Sequence, residues 1–445
     1  MDKRKFKNVG VLFGGGSITS LGFMRNLGRN GVPTFYVGER RCEAIFSRYC
    51  KRYFLVPEIE HNIEVLKRFL KKLEKQSESN AIIFPGSDLF CLSLSELESE
   101  NYHVLLPNKE IVDTLINKKR FYQSLAKRNM PHPTTHFPKN PDDVENMRKK
   151  VSYPVYIRPS ISQVFDERFH QKGFVAKSEE EMARYYKLAL RHNVEVMVQE
   201  IIPGPATNLF GVNGYFDKES NPHGLFVYRR LREWPHKFGN NSLIESVSTP
   251  STSSLKDVVT DYLRNLRYHG LIDAEFKKDP RDGVFKLLEI NARCWWQNSF
   301  PTKCGINLVF MAYLDAISEK MDYTENYDVG LKWLYFLSDF RSSIKMLRNK
   351  ETTVREWISS FRGVKDHAFF SLDDPLPWTI QPLFILDSFR ARRAPEECRH
   401  GYADMSKAAP AKLITGAGVA SSLERVRILG ERQKNFSAPW SQNDA

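Results

Sequence analysis

Two short apolar segments joined by a tight turn constrain the fold of this 445-residue chain more than any other feature. Residues 271–277 (LIDAEFK) and 286–293 (KLLEINAR) have the length and composition of β-strands, and the Asp-Gly pair between them favours a hairpin. Side chains alternate along a strand, so Glu289 and Asn291 share one face. When Glu275 of the first strand pairs on that face, two carboxylates and one amide oxygen converge.

A cluster of hard oxygen donors suits Mg²⁺, because this ion binds few carboxylates and completes its shell with water and phosphate oxygens. Arg293 follows two residues after Asn291 on the same face, where its guanidinium can contact an anion beside the metal. The hairpin therefore predicts a phosphate-handling site with Glu275, Glu289 and Asn291 as metal ligands.

The composition is that of a globular protein, with 41% hydrophobic residues and a net charge of +13. A chain of this length can form two or three domains. The positive charge suits nucleotide phosphates, nucleic acid or an anionic membrane, and it is equally compatible with solubility alone. Nucleic acid ranks last among these partners, because the basic residues do not form a patch interleaved with aromatic residues.

The cysteines indicate a reducing environment. Six cysteines spread over the chain are too few for a disulfide framework, and none has the CxxC or CxxH spacing of a zinc site. No segment approaches the roughly 20 apolar residues that a transmembrane helix needs. We therefore expect a cytoplasmic protein without a membrane span.

The first part of the chain has the pattern of a strand, a glycine turn, a helix and a second strand, which predicts a parallel βαβ unit over residues 8–37. A second such unit begins at residue 63. The glycines of the turn, Gly14, Gly15 and Gly16, either let strand and helix pack closely or present backbone N–H groups to an anion. Beyond Pro131 the pattern predicts two smaller α+β units, so the expected fold class is α/β followed by α+β.

The order of these motifs resembles the ATP-grasp superfamily of carboxylate–amine ligases, in particular its D-aspartate-ligase-like and predicted ATP-dependent carboligase branch. The Glu-x-Asn-x-Arg element that ends at Arg293 is the most specific part, and the likeness runs from about residue 7 to 320. It implies a Rossmann-like pre-ATP-grasp domain followed by the two α+β subdomains of an ATP-grasp fold. The implied boundaries are 1–115 for the first domain, 116–200 for the small (lid) subdomain, 201–320 for the large subdomain with the metal site, 321–389 for an accessory region and 390–445 for a weakly ordered tail.

The resemblance also implies roles for individual residues. Lys118 matches a phosphate-contacting lysine, and Arg158 occupies the place where relatives usually carry a second one. The hinge that hydrogen-bonds adenine matches Gln199, Glu200 and Ile202. The remaining implied roles are phosphate binding for Lys172, Mg²⁺ binding for Glu275, Glu289 and Asn291, stabilisation of an acyl phosphate for Arg293, and substrate contacts for Arg230 and Arg232.

Two departures from the family pattern concern the nucleotide site. Arg158 keeps the positive charge of lysine but is a planar fork rather than a compact ammonium. The loop 160–172 lacks a glycine run and offers Ser160, Ser162, Arg168, His170 and Lys172 instead. Either these side chains cradle phosphate or nucleotide binding is weakened. Retained binding is favoured, because all three metal-ligand positions persist.

The implied activity is an ATP-dependent ligase that joins a small carboxylate to an amine, or to a thiol, through an acyl phosphate, with release of ADP and phosphate. ATP and Mg²⁺ are the implied cofactors, and Mn²⁺ is an alternative ion. An ATP-grasp phosphotransferase or carboxylase is a second interpretation, and a non-catalytic nucleotide-binding module is a third. A homodimer is compatible with the family.

Overall fold

The computed structural model describes residues 6–393, apart from 77–79, 98, 148, 162–164, 166–167, 237–238 and 322–325. Most of the expected tail, and Ser162 of the loop 160–172, lie outside the described residues. The strands of the described residues form three β-sheets. None of the described helices is both long and apolar enough to cross a lipid bilayer.

The first sheet is parallel and confirms the predicted βαβ start. Its strands are β1 (Val9–Phe13), β2 (Thr34–Gly38), β3 (Cys50–Leu55), β4 (Ala81–Pro85) and β5 (Tyr102–Val104), in the order β3-β2-β1-β4-β5. Every residue of β1 and β4 is buried, as expected for parallel strands covered by helices on both faces. Four helices accompany this sheet: Gly16–Gly28, Ile63–Gln76, Asp88–Leu94 and Lys109–Ile116.

Two glycine turns pack against each other at the carboxyl edge of this sheet, where parallel sheets usually bind ligands. The Gly86 amide donates to the carbonyl of Phe13 at 2.8 Å. A Cβ on Gly86 would lie 2.7 Å from Cα of Gly15, whereas a Cβ on Gly16 would meet nothing within 4 Å. Close packing therefore explains Gly15 and Gly86, while Gly16 faces open space.

We expect Gly86→Ala to destabilise the protein by about 3 kcal/mol, because the new methyl group meets backbone atoms that cannot rotate away. Gly16→Ala is the matched control. Its φ of +64° costs about 1 kcal/mol for an alanine, but no atom obstructs the methyl group. Urea unfolding of both variants measures the difference. Equal losses would show that the contact between the two turns is not what selects glycine.

The second sheet is antiparallel and has four strands. They are β6 (Thr135–His136), β7 (Val155–Pro159), β8 (Phe174–Ala176) and β9 (Val196–Glu200), in the order β6-β9-β7-β8, with helices Lys118–Lys127, Pro141–Met147 and Glu179–Arg191. Burial alternates along β7, so Val155 and Ile157 face the core while Tyr156 and Arg158 face the other side. That alternation keeps Arg158 on the face away from the hydrophobic core.

The third sheet contains the hairpin predicted from the sequence. Its strands are β10 (Leu209–Phe216), β11 (Pro222–Trp234), β12 (Asn240–Ser246), β13 (Gly270–Lys278), β14 (Phe285–Asn291), β15 (Lys332–Leu334) and β16 (Val364–His367), in the order β14-β13-β10-β11-β12-β15-β16. The described helices that follow β12 are Pro250–Leu266, Ser299–Lys303, Leu308–Ala316, Phe336–Arg348, Val354–Ser359 and Leu376–Arg393. The region expected to be an accessory piece thus supplies β15 and β16 to the sheet that carries the hairpin.

Residues 369–374 return to the first domain through a buried ion pair. The Arg25 Nε atom donates to Oδ2 of Asp374 at 3.0 Å, and the exposed fractions of the two side chains are 4% and 1%. The Asp374 carboxylate also accepts from the Ser47 hydroxyl at 2.7 Å and the Arg48 amide at 2.9 Å. The C-terminal part of the described chain is therefore fastened to the N-terminal sheet.

Candidate active site

The predicted convergence of oxygen donors is present on the hairpin. Glu275 of β13 lies directly opposite Glu289 of β14, and Asp273 lies opposite Asn291. The turn is closed by the Gly283 amide, which donates to the carbonyl of Asp279 at 2.8 Å, and Gly283 has a φ of +73°. Strand alternation and turn chemistry thus place these carboxylate and amide groups on one face.

Asp273 is a site residue that the sequence reasoning missed. It is buried, and its Oδ1 atom accepts hydrogen bonds from Asn213 at 2.8 Å and the Tyr228 hydroxyl at 3.2 Å. Burial, together with the negative charge of Glu275, raises its pKa. The signal was available, because Asp273 precedes Glu275 by two residues and so shares its strand face.

Two cations hold Glu289 in its ionised form. The Lys118 Nζ atom lies 2.6 Å from Oε2 of Glu289, and the Arg158 Nη2 atom lies 3.7 Å from the same oxygen. Lys118 and then Arg158 lower the pKa of Glu289 against the opposing effect of burial. Lys118 is fixed at the first turn of its helix, because the Asn117 side chain caps that helix and the Lys118 amide donates to the carbonyl of Ser160 at 2.8 Å.

Glu275 is in a different electrostatic environment from Glu289. Its Oε2 atom lies 3.3 Å from Nη2 of Arg230, whose Nη1 atom donates to Glu233 at 2.8 Å. Burial raises the pKa of Glu275 even though Arg230 opposes this shift. The pKa is therefore raised for Glu275 and lowered for Glu289, so Glu289 favours its charged form more strongly.

Arg293 links the hairpin to the N-terminal domain. Its Nε atom donates to Oδ1 of Asp88 at 2.6 Å, and its Nη2 atom donates to Oδ1 of Asn291 at 3.2 Å. Asp88 begins the helix that follows the Gly86 turn. The ion pair thus joins the carboxyl edge of the parallel sheet to the face that carries Glu275 and Glu289.

A cleft of about 510 Å³ lies between these two parts of the chain. The hairpin wall carries Asp273, Glu275, Glu289, Asn291 and Arg293, to which Arg230 and Lys172 add positive charge. The N-terminal wall consists of Gly15, Gly16, Thr19, Glu60, Gly86, Ser87 and Asp88. The lining is predominantly polar, which suits a small charged ligand better than an apolar one.

Arg158 lies on β7 of the four-stranded sheet, and Lys172 lies in the loop that precedes β8. The Lys172 Nζ atom donates to Oδ1 of Asn240 at 2.9 Å, and Lys172 lines the cleft. The Arg158 Nη1 atom donates to Oε1 of Gln199 at 3.1 Å and to the Tyr122 hydroxyl at 2.9 Å. Arg158 therefore connects Gln199 with Glu289.

None of the three hinge residues lines this cleft. The Glu200 carboxylate accepts from Nη2 of Arg281 at 2.7 Å and from the Thr134 amide at 2.8 Å. Although burial opposes the shift, these hydrogen bonds and Lys286 lower the pKa of Glu200. Ile202 is buried. Arg281 belongs to the hairpin turn, so the hinge and the hairpin are in direct contact.

Arg232 does not join the cluster. Its Nε and Nη2 atoms donate to Asp339 at 2.7 and 3.0 Å, and Nη2 also donates to the Ser360 hydroxyl at 2.8 Å. A β-bulge between Arg230 and Arg232 inserts an extra residue and changes the alternation of side chains along β11. Arg230 consequently points into the cleft, whereas the Arg232 guanidinium is committed to Asp339.

The donor set on the hairpin fits a hard divalent cation, because it consists of carboxylate and amide oxygens. Lys118 donates to Oε2 of Glu289. Glu275 lies opposite Glu289 on the neighbouring strand, and Asn291 follows Glu289 on the same face. Within the described ranges, no three His, Cys, Asp or Glu side chains are already gathered as a metal site. The glutamates instead contact Lys118 and Arg230.

No protein-family model matches the sequence. The D-aspartate ligase of Enterococcus faecium is 25% identical over 275 residues, which cover 58% of this chain and 64% of that protein. The formate-dependent phosphoribosylglycinamide formyltransferase of Sulfurisphaera tokodaii is 30% identical over 180 residues, which cover 39% of this chain and 42% of that protein. The chain thus spans less than two thirds of the length of each relative.

Similarity to solved structures extends over more of the chain. The biotin carboxylase–beta-gamma-ATP complex from Campylobacter jejuni superposes with a TM-score of 0.58 at 15% identity, over 73% of this chain and 74% of that one. At this level of identity the likeness concerns the fold alone. It confirms the fold class predicted from the order of the sequence motifs.

Proposed function

We propose that this chain is a member of the ATP-grasp superfamily and an ATP-dependent ligase that joins a carboxylate to an amine through an acyl phosphate. The observation that supports this most strongly is the cleft in which Glu275, Glu289, Asn291 and Arg293 face the carboxyl edge of the N-terminal sheet. A thiol is the alternative acceptor.

Glu275, Glu289 and Asn291, with Asp273 beside them, would hold Mg²⁺, and Mn²⁺ accepts the same donors. When bound, the ion would neutralise charge on the transferred phosphoryl group. Lys118, Arg158 and Lys172 carry fixed positive charge to the same region. The base of the nucleotide would lie at the Gln199–Ile202 hinge, which Arg281 keeps in contact with the hairpin.

The proposed reaction needs alignment and charge neutralisation rather than a nucleophilic side chain. One oxygen of the substrate carboxylate attacks the γ-phosphorus of ATP, and ADP leaves. The amine then attacks the carbonyl carbon, and phosphate leaves with that oxygen. Arg293, whose Nη2 atom donates to Asn291 of the proposed metal site, would stabilise the acyl phosphate.

A second candidate is a phosphotransferase or carboxylase that uses the same nucleotide site. The similarity to a formyltransferase and to a biotin carboxylase structure supports keeping it. A stable phosphorylated product, or ADP release that requires bicarbonate and no amine, would favour it. A non-catalytic nucleotide-binding module, suggested by Arg158 and the glycine-poor loop, would bind Mg²⁺–ATP without turnover.

The first test is a thermal-shift measurement with Mg²⁺–ATP, since a ligand that binds only the native state raises the unfolding temperature. We expect a rise that depends on Mg²⁺, and ADP rather than AMP when acid and amine are supplied together. D-Aspartate is the first acid to try, because one relative is a D-aspartate ligase. Absence of any shift with Mg²⁺–ATP would overturn the proposal.

The proposed partners are small molecules rather than nucleic acid, and a homodimer remains part of the proposal. A cytoplasmic location is supported by the cysteines, since Cys42, Cys50, Cys91, Cys294 and Cys304 are all free and buried. Size-exclusion chromatography with light scattering measures the oligomeric state.

A further inference from the structure

Glu60 occupies a fixed position on the N-terminal wall of the cleft. Its amide donates to Oε1 of Glu39 at 3.1 Å, and its own Oε1 atom accepts from the Ser87 hydroxyl at 2.5 Å. Ser87 is itself held in place, because its Oγ atom accepts from the Phe90 amide and caps the helix that starts at Asp88. Glu39 therefore holds the backbone of Glu60, and Ser87 holds its carboxylate.

Three other carboxylates of the cleft have cationic partners. Glu289 contacts Lys118, Glu275 contacts Arg230, and Asp88 contacts Arg293. Asp273 makes no ion pair with any described residue, but its side chain is buried and accepts hydrogen bonds from Asn213 and Tyr228. Across the part of the chain that the structure describes, Glu60 has no lysine, arginine or histidine within ion-pair distance. It is a half-buried negative charge that faces the cleft without a counter-charge.

Glu60 also lies close to the reacting end of the cleft. Ser87, which binds Glu60, is followed directly by Asp88, whose Oδ1 atom is 2.6 Å from Nε of Arg293. One small molecule can therefore contact Glu60 at one end while its carboxylate lies near Arg293. The end at Glu60 favours a positive group and the end at Arg293 favours a negative one. A zwitterion carries both groups and therefore matches the cleft.

We propose that Glu60 binds the ammonium group of the acid substrate, and that this substrate is an amino acid. The inference rests on the proposed function and identifies the class of acid that the ligase activates. The ammonium in question is not the attacking amine. A carboxylate stabilises the charged form of a neighbouring amine, whereas the amine that attacks an acyl phosphate must be uncharged.

The test compares the wild-type protein with Glu60→Gln in the presence of Mg²⁺–ATP. The probes are both enantiomers of the common amino acids and, as acids without an amino group, succinate, glutarate and propionate. We expect an amino acid to raise the unfolding temperature of the wild type further than Mg²⁺–ATP alone does. For an amino acid that supports ADP release, Glu60→Gln should raise KM by about tenfold or more with little change in kcat. Glu60→Asp should restore part of the affinity.

Glu58→Gln is the matched control, since Glu58 is exposed and does not line the cleft, and it should leave KM unchanged. The inference would be overturned if the wild type gave a thermal shift only with acids that lack an amino group, or with none of the probes. Equal KM values for the wild type and Glu60→Gln would also overturn it. In each of those cases a retained Mg²⁺–ATP shift leaves the proposed function standing. Loss of that shift in the wild type would instead overturn the proposed function.

Discussion

Replacing Glu289 with glutamine should lower the rate of ADP release by about 10²–10³-fold without unfolding the protein. Glu289 combines two tasks, as a proposed metal ligand and as the counter-charge of Lys118 and Arg158. Glutamine has nearly the same shape but carries no charge, so it weakens the metal site and leaves both cations without their partner. Steady-state ADP release with a responding acid and amine measures the effect.

Glu245→Gln is a suitable control for this experiment. Glu245 is a partly buried glutamate on β12 of the same sheet, and it does not line the cleft. Its replacement should leave the rate within about twofold of the wild type, as for a substitution away from the site. Full activity of Glu289→Gln would show that the hairpin is not the reacting end of the cleft.

Replacing Asp374 with asparagine should destabilise the protein by about 3–5 kcal/mol, because it leaves Arg25 as an unpaired buried charge. The Asp374 carboxylate accepts two further hydrogen bonds, from Ser47 and Arg48, so the substitution also weakens the contact between residues 369–374 and the first domain. Urea unfolding, monitored by tryptophan fluorescence, measures the free energy of unfolding.

The exposed pair between Lys67 and Glu64 provides the comparison. The exposed fractions of these side chains are 46% and 69%, and such pairs contribute at most about 0.5 kcal/mol. Glu64→Gln should therefore be close to neutral. A loss for Asp374→Asn as small as that for Glu64→Gln would mean that the C-terminal segment is not fastened through this ion pair.

The hairpin could be predicted because its signals are local. Strand alternation placed Glu289 and Asn291 together, and the Asp-Gly turn brought Glu275 opposite. Asp273 obeys the same rule, since it precedes Glu275 by two residues, but it lies outside the Glu-x-Asn-x-Arg element that is the most specific part of the family pattern. Arg232 shows the limit of the rule, since a bulge in β11 changed the face on which it lies and no residue pattern marks that bulge.

Contacts between distant parts of the sequence were not accessible in this way. Arg25 and Asp374 are separated by 349 positions, and Asp88 and Arg293 by 205. The role of β15 and β16 in the large sheet, and the position of Glu60 in the cleft, likewise depend on how the domains pack. Such pairings are set by tertiary packing, which a local periodicity does not encode.

Transfer of oxygen from the acid to phosphate tests the proposed reaction most directly. The enzyme would be supplied with an acid labelled with ¹⁸O in its carboxylate, together with Mg²⁺–ATP and an amine, and the released phosphate analysed by mass spectrometry. An acyl-phosphate ligase places one ¹⁸O atom in the phosphate and forms ADP. Phosphate without label, or AMP with pyrophosphate, would contradict the proposed mechanism.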